Sequence, residues 1–352
     1  MKKISQITSV ILAIVLLCSC LLSCSSSSKD DKFYNENDPI QVVDGAGRHV
    51  SFPEPAKTVA TSWGGSIDSY FFALGVVDRI AATNSHGYFE KVFFDPDNMK
   101  KVGRFSLDKE ALADLSPDLY LHGYYNTEYI EGANKVGVRA YGMGFNSFDD
   151  IEKNLTDLGV IFGIEDRANF VCDYCNKIKE LVVSRVATVP EAERPSVVVL
   201  GEKTGELASD IYDTIEEMIS YAGGISCTPD DLKTKTETTV VGLETIFGWN
   251  PDFVFLKDYY CDLTVDDIMK DSTWQAMNAV KNQHVFALPS AMDGWCAANP
   301  SCYLGTLYMS MMMYPELYED IDFEETVLDF YHNVYNIDLT VEEIGLDGQP
   351  KD

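Results

Sequence analysis

One unit occurs twice in this chain at the same internal spacing, and few folds accommodate such a pair. Glu110-Ala-Leu-Ala-Asp-Leu-Ser-Pro117-Asp118-Leu-Tyr-Leu is matched by Glu244-Thr-Ile-Phe-Gly-Trp-Asn-Pro251-Asp252-Phe-Val-Phe. The tyrosines that follow, Tyr125 and Tyr259, fall in register. Each copy predicts a short helix stopped by proline, a turn, and a buried apolar strand. Two such units, one per half, imply two similar lobes. Each lobe presents one glutamate near the start of a helix, and a partner of matching symmetry is implied.

The chain around the units alternates strand and helix, which predicts parallel sheets. Ile40 to Phe52 reads as a hairpin turning at Asp44-Gly45-Ala-Gly47. Thr58–Thr61 is a strand, Ile67–Leu74 a helix closed by Gly75, and Ile80 starts a second strand. Thr127 can cap a helix to Val136, a strand covers Val138–Tyr141, and Ser147-Phe-Asp-Asp150 is a capping-box-like start for a helix to Phe162. Glu165 to Thr188 is one long helical stretch, with Val171, Tyr174, Ile178, Leu181 and Val182 at helical spacing. Beyond the proline-containing break the pattern restarts. A strand covers Val197–Leu200, a second capping box, Thr214-Ile-Glu-Glu217, opens a helix to Tyr221, and Ala222-Gly223-Gly224 stops it. His284–Leu288 is a strand, Pro300 opens a helix through Met312, and Phe323–Tyr335 is a closing amphipathic helix. The expected fold is therefore α/β. Two similar lobes with mostly parallel central sheets are joined by a single long α-helix, with a ligand cleft between them. One packed helix permits only small lobe movements.

The front end is expected to stand apart from this fold. Lys2 and Lys3 precede Val10–Leu17, an apolar stretch too short to span a bilayer stably. Leu21-Leu22-Ser23-Cys24 is similar to a bacterial lipobox, with Leu17-Cys18-Ser19-Cys20 a rival. Cys24 is preferred because the polar run Ser25–Asp31 begins straight after it. The expected organisation is a lipoprotein signal peptide (1–23), a polar tether (24–38), a first lobe (39–163), a connecting helix (164–190) and a second lobe (191–345). A lipidated Cys24 would anchor the protein to the outer face of a membrane without spanning it. The tether's reach is about 20 Å.

Composition narrows the partners. A net charge of −29 argues against nucleic acid, whose phosphates would be repelled. Of the nine cysteines, six lie in the body: Cys172, Cys175, Cys227, Cys261, Cys296 and Cys302. Cys172-Asp-Tyr-Cys175 has the spacing of a redox or metal half-site, but its helical pattern favours buried structural thiols. The five histidines, His49, His86, His122, His284 and His332, show no ligand spacing. Met309, Met311, Met312 and Met313 lie in a helical pattern and read as core packing rather than a copper site. No G-x-S-x-G elbow, P-loop or G-x-G-x-x-G follows a strand, so an extracellular surface enzyme on the same scaffold is the less favoured class.

Several features in order carry a resemblance. They are Asp44-Gly-Ala-Gly-Arg48, Ala73-Leu74-Gly75, Val102-Gly103-Arg104, the paired Pro-Asp strands, Glu217 through Ala222-Gly223-Gly224, and Tyr314-Pro315. From Ile40 to Ile344 the chain resembles class III periplasmic-type substrate-binding lipoproteins of ABC importers for iron complexes, cobalamin and related metal compounds. The resemblance implies a monomeric receptor with no cofactor and no catalysis, serving an ABC permease dimer with its ATPase subunits. It implies that Glu110 and Glu244 pair with arginines of the two permease subunits.

Ligand residues are expected in loops after the strands' C-terminal ends. In the first lobe these are Trp63, His86, Tyr88, Arg104, Tyr124 and Tyr125; in the second, Asp210, Tyr212, Tyr259, Tyr260 and Trp295. The aromatic bias suits a metal chelate, a ferric siderophore first, with a corrinoid, haem or a molybdate-type oxyanion as alternatives on the same fold.

Overall fold

A computed structural model describes residues 32–84, 88–95, 97–104, 106–203, 206–209, 213–229, 239–257, 263–289 and 292–346. The first half runs β1 (Ile40–Val43), β2 (His49–Phe52), β3 (Val59–Thr61), α1 (Ser66–Leu74), β4 (Ile80–Ala82), α2 (Tyr88–Phe93), α3 (Lys109–Leu115), β5 (Leu119–Gly123), α4 (Thr127–Lys135), β6 (Ala140–Met143) and α5 (Phe148–Phe162). The long helix α6 (Glu165–Val186) follows. The second half runs β7 (Ser196–Lys203), β8 (Glu206–Ser209), α7 (Asp213–Tyr221), β9 (Ile225–Ser226), β10 (Thr239–Val240), α8 (Leu243–Trp249), β11 (Phe253–Leu256), α9 (Val265–Lys270), α10 (Asn278–Lys281), β12 (Val285–Ala287), α11 (Cys302–Met313), α12 (Phe323–Phe330) and α13 (Val341–Ile344). The leader, Cys20, Cys24 and the start of the tether lie outside the described residues.

Among the described residues each lobe holds one large sheet, beside the two-stranded antiparallel hairpin β1-β2. The first lobe's sheet has the order β4-β3-β5-β6 with every pair parallel. The second lobe's has the order β10-β8-β7-β11-β12, with β9 also beside β7. There β7, β9, β11 and β12 are parallel, and β8 pairs antiparallel with β7 and β10. The sequence pattern ends the strand at Leu200, where the apolar run stops. β7 continues to Lys203 because β8 supplies its ladder partners.

The duplicated unit folds the same way twice. α3 and α8 each span 7 residues and each bury one side chain, Leu112 and Ile246. Each ends on a left-handed residue at φ 46°, Ser116 and Asn250, whose N–H bonds back to Leu112 or Ile246. The buried Pro117 and Pro251 bring no N–H that would need a partner. The aspartates then brace the neighbouring strand. Asp118 Oδ2 accepts from the Lys57 and Thr58 N–H groups and from Thr58 Oγ1, which accepts in turn from the Asp118 N–H. Asp252 Oδ2 accepts from the Ser196 N–H and Oγ, and Ser196 Oγ accepts from the Asp252 N–H. The Pro-Asp pair therefore stops a helix and locks β5 onto β3, or β11 onto β7, at the edge where the strands start.

α6 is 22 residues long, about 33 Å at 1.5 Å per residue. It buries Ala168, Val171, Cys172, Cys175, Ile178, Val182 and Val186. These join one apolar core that also holds Ile67 and Phe71 of the first lobe and Met218, Leu304 and Leu307 of the second. The described residues from Phe33 onward accordingly pack as one unit. Cys172 and Cys175 are free buried thiols, and burial pushes Cys172 up to about 12. Met309 and Met313 are buried, and Met311 and Met312 pack against the same core.

The closing helix departs from expectation. It is α-helical only to Phe330, then widens into a π-turn over Tyr331–Tyr335, closed by left-handed Asn336. The turn packs its tyrosines onto a buried carboxylate. Tyr331 donates to Asp293 Oδ1 (2.5 Å), Tyr335 donates to Oδ2 (3.1 Å), and Ser301 donates to Oδ2. The turn also meets the first lobe, where the Phe89 ring lies 4.9 Å from Tyr335. Arg167 of α6 donates to the carbonyls of Ala73, Asn333 and Val334.

Removing the braces is expected to destabilise unequally. Asp252 is half-buried and Asp118 exposed, so Asp252→Ala is expected to cost about 1–3 kcal/mol and Asp118→Ala about 0.5–1.5. The double variant is expected to be additive within about 0.5 kcal/mol, since the sites share no partner. Urea denaturation of the three variants checks both the order and the sum.

Candidate functional site

The parallel strands β3, β5 and β6 end on one rim, and the loops there carry an aromatic cluster. Thr61 Oγ1 donates to the Trp63 carbonyl and accepts from the Trp63 N–H, which fixes the backbone just after β3. The Trp63 ring lies 5.2 Å from His122, 5.2 Å from Phe145 and 5.9 Å from Tyr125. Tyr124 and Tyr125 meet edge to face at 5.7 Å. Asn146 donates its side-chain amide to the Tyr124 hydroxyl (2.9 Å). Trp63, Tyr124, Tyr125 and Asn146 are all half-buried. Gly123 makes the arrangement possible. A Cβ there would stand 2.6 Å from the Trp63 ring and 3.0 Å from the Tyr125 ring.

The floor beneath is polar but uncharged. His122, at 5 % exposure, stacks on Tyr129 at 4.1 Å. Burial holds its imidazole down to about 4, so it is neutral near pH 7. Tyr120 and Ser62 share a 2.5 Å hydroxyl–hydroxyl bond. Next to this rim, the hairpin is clamped by Asp44. Its Oδ1 accepts from the Ala46 and Arg48 N–H groups, and its Oδ2 from the Arg48 guanidinium and the Gly142 N–H. That accounts for Asp44 and Arg48 of the Asp44-Gly-Ala-Gly-Arg48 motif. Gly45 is needed too, because a Cβ would meet Gly142, Gly144 and Tyr124 at 3.0 Å.

The structure therefore brings together Trp63, Tyr124 and Tyr125. It adds His122, Phe145 and Asn146, which the sequence reading passed over. Period-2 alternation along β5 does place Tyr120 and His122 on one face, but nothing local ties that face to Trp63. Trp295 is corrected. It is 1 % exposed, donates its indole N–H to Tyr331, and packs edge-on to Phe323, so it serves the second-lobe core rather than a cleft wall. Arg104 is exposed on the turn that leads into α3. That turn needs Gly103, at φ 105°, where a Cβ would fall 2.0 Å from the Ser106 carbonyl. It closes with the Asp108 N–H on the Val102 carbonyl, which sets Asp108 as the cap accepting from Ala111. Glu110 and Glu244 stand exposed in the first turns of α3 and α8. His86, Asp210, Tyr212, Tyr259 and Tyr260 lie outside the described residues, and Tyr88 is described by its backbone alone. Among the described residues, no three His, Cys, Asp or Glu side chains converge as a metal-donor set. No helix among them is long and apolar enough to cross a membrane.

Residues 60–292 match the model of the family described as periplasmic binding protein. The chain belongs to that family. It is similar to the molybdate-binding protein MolA of Haemophilus influenzae, 22 % identical over 91 % of this chain and 95 % of the relative. It is also similar to the petrobactin-binding protein YclQ of Bacillus subtilis, 23 % identical over 83 % of this chain and 92 % of the relative. Among solved structures, a periplasmic solute-binding protein of Veillonella parvula matches at TM-score 0.73, with 23 % identity, covering 87 % of this chain and 95 % of that one. Binding proteins of this family bind small ligands outside the cytoplasm and work with an ABC permease and its ATPase.

His122 is expected to add an acid-sensitive part to the stability in a defined window. Its folded value lies below the usual 6.5, so the unfolded chain binds the proton first as pH falls. The contribution of His122 to stability is expected to be full above pH 6.5 and to decline from there toward pH 4, by up to about 3 kcal/mol. His122→Asn is expected to lose that part of the pH dependence, as denaturant titrations at pH 7, 5.5 and 4.5 would report.

Proposed function

We propose that this binding protein captures a ferric siderophore outside the cytoplasm and hands it to its permease. The observation that carries the reading is the aromatic wall of Trp63, Tyr124 and Tyr125 over a neutral imidazole. Ring faces give a large contact area at low entropy cost and suit the flat, partly apolar shell of a chelate. The relatives YclQ, a petrobactin-binding protein, and YxeB, an iron(3+)-hydroxamate-binding protein, support the same class. His86, Tyr88, Arg104, Asp210, Tyr212, Tyr259 and Tyr260 are the further contacts proposed for it.

A second reading is an oxyanion, favoured by the likeness to MolA across nearly the whole chain. A small oxyanion is held by converging N–H donors and positive dipoles. The described wall instead offers ring faces, whose quadrupoles are negative. We rank the chelate first on that difference. Haem and corrinoid ligands keep the same fold and are outcomes of the same screen.

Delivery is proposed to run through Glu110 and Glu244. The two exposed carboxylates hold equivalent positions in the duplicated units, suited to one arginine on each of two permease subunits. A lipidated Cys24 would keep the monomeric receptor at the membrane surface.

Titrating the soluble body, begun after Asp31, with ferric hydroxamate, ferric catecholate, haem, cobalamin and molybdate tests the ligand. Saturable quenching by an iron chelate, weakened about tenfold or more in Trp63→Ala, is expected. Saturation by molybdate alone would transfer the protein to the oxyanion reading. In cells, reversing the charge at both Glu110 and Glu244 is expected to abolish uptake with ligand affinity unchanged. Loss of affinity in that double variant would place the glutamates in the fold or the pocket.

A further inference from the structure

Thr214-Ile-Glu-Glu217 reads in sequence as a reciprocal cap for its own helix. In the structure both side chains reach the other lobe. Thr214 Oγ1 donates to the Phe145 carbonyl (3.2 Å), and the Phe148 N–H donates to Glu217 Oε2 (2.8 Å). The two residues are three apart on α7 and so share one of its faces. The Phe148 N–H is a first-turn amide of α5 with no acceptor inside its own helix, and a carboxylate is favoured there. Between the two anchor points lie only Asn146 and Ser147.

This short segment is the back of the aromatic wall. The Phe145 ring stands 5.2 Å from Trp63 and 6.4 Å from Tyr70. Asn146 donates its backbone N–H to Asp150 (2.8 Å) and its side-chain amide to the Tyr124 hydroxyl (2.9 Å). The Gly144 carbonyl accepts from Asn154 (2.7 Å), and a Cβ on Gly144 would stand 2.4 Å from the Asp150 carboxylate. The Phe148 ring packs edge-on to Tyr221 at 5.2 Å and Tyr303 at 4.8 Å, both from the second half. A segment tied this closely shifts as a piece, and Trp63 and Tyr124 shift with it.

We infer that Thr214 and Glu217 are positioning residues for the ligand wall: the second lobe, from behind, sets where the first lobe's Trp63 and Tyr124 stand. The inference rests on the proposed reading of that wall as the ligand contact. It makes affinity depend on two side chains behind the wall rather than on its face.

The test compares Glu217→Ala, Glu217→Gln, Thr214→Val and Trp63→Phe by two measurements. One is affinity for ferric hydroxamate, ferric catecholate and molybdate. The other is acrylamide quenching of Trp63 without ligand, taken as the difference from Trp63→Phe. Glu217→Ala is expected to bind the accepted probe about tenfold more weakly and to open Trp63 to acrylamide. Glu217→Gln, whose amide oxygen still accepts the Phe148 N–H, is expected to restore both. Thr214→Val is expected to move both in the same direction and by less. A folded Glu217→Ala protein with unchanged affinity and unchanged quenching overturns the inference, as does a Gln variant that behaves like Ala. If Glu217→Ala does not fold, unchanged quenching in Thr214→Val overturns it; if no probe binds, the ligand-free quenching decides alone. Unchanged affinity in Trp63→Phe, with Glu217→Ala still opening Trp63, overturns the wall reading and leaves the positioning intact.

Discussion

The structure depends on one continuous apolar core that passes beneath both lobes along α6. Side chains from α1 and α5 of the first lobe and from α7 and α11 of the second all pack against that helix. Close-packed interiors resist sliding, because every displaced methyl group loses contacts that water does not replace. The lobes are therefore held at their base and differ from a pair of domains on a flexible linker. Cross-lobe hydrogen bonds add to this. Tyr70 donates to the Ala298 carbonyl (3.0 Å), beside the Thr214 and Glu217 ties. Packing of this kind favours small lobe movements over wide hinge closure.

The legible part of the fold was the part governed by local chemistry. The helix stop at Gly75 read directly, because it adopts a left-handed φ (69°) that glycine takes without strain, and the helix expected to reach Phe162 does so. The α6 period, the hairpin turn at Asp44 and the duplicated Pro-Asp units were equally plain. What the sequence hid depends on distant partners. The β8 pairing extends β7 past its apolar run, and Tyr331 in the π-turn bonds to a carboxylate 38 residues away. The Thr214–Glu217 pair looked like a cap and serves a different helix.

The site was legible to the same extent. Loop position after a strand singled out Trp63, Tyr124 and Tyr125, which lie together because the rim of a parallel sheet collects such loops. It also selected Trp295, which is as aromatic and as near a strand end but faces inward toward Tyr331 and Phe323. Composition cannot tell the two tryptophans apart. Only the packing partners do, and those lie 36 residues away in the chain for Tyr331. His122 escaped notice because a lone histidine in an apolar strand is usually a buried neighbour. Here it is that, and the floor of the cluster as well.

The hairpin has a mechanical consequence. The Phe33 carbonyl accepts from the Ser51 N–H, Ser51 Oγ donates to Asp38, and the Asn35 N–H donates to Ser51 Oγ. One turn further, the Gly45 N–H meets the Gly142 carbonyl, and Asp44 takes the Gly142 N–H. A pull applied at Phe33 is thus passed to the outer strand of the first sheet through several bonds loaded together. A load entering at Phe33 is shared among these bonds, so no single one of them has to carry it.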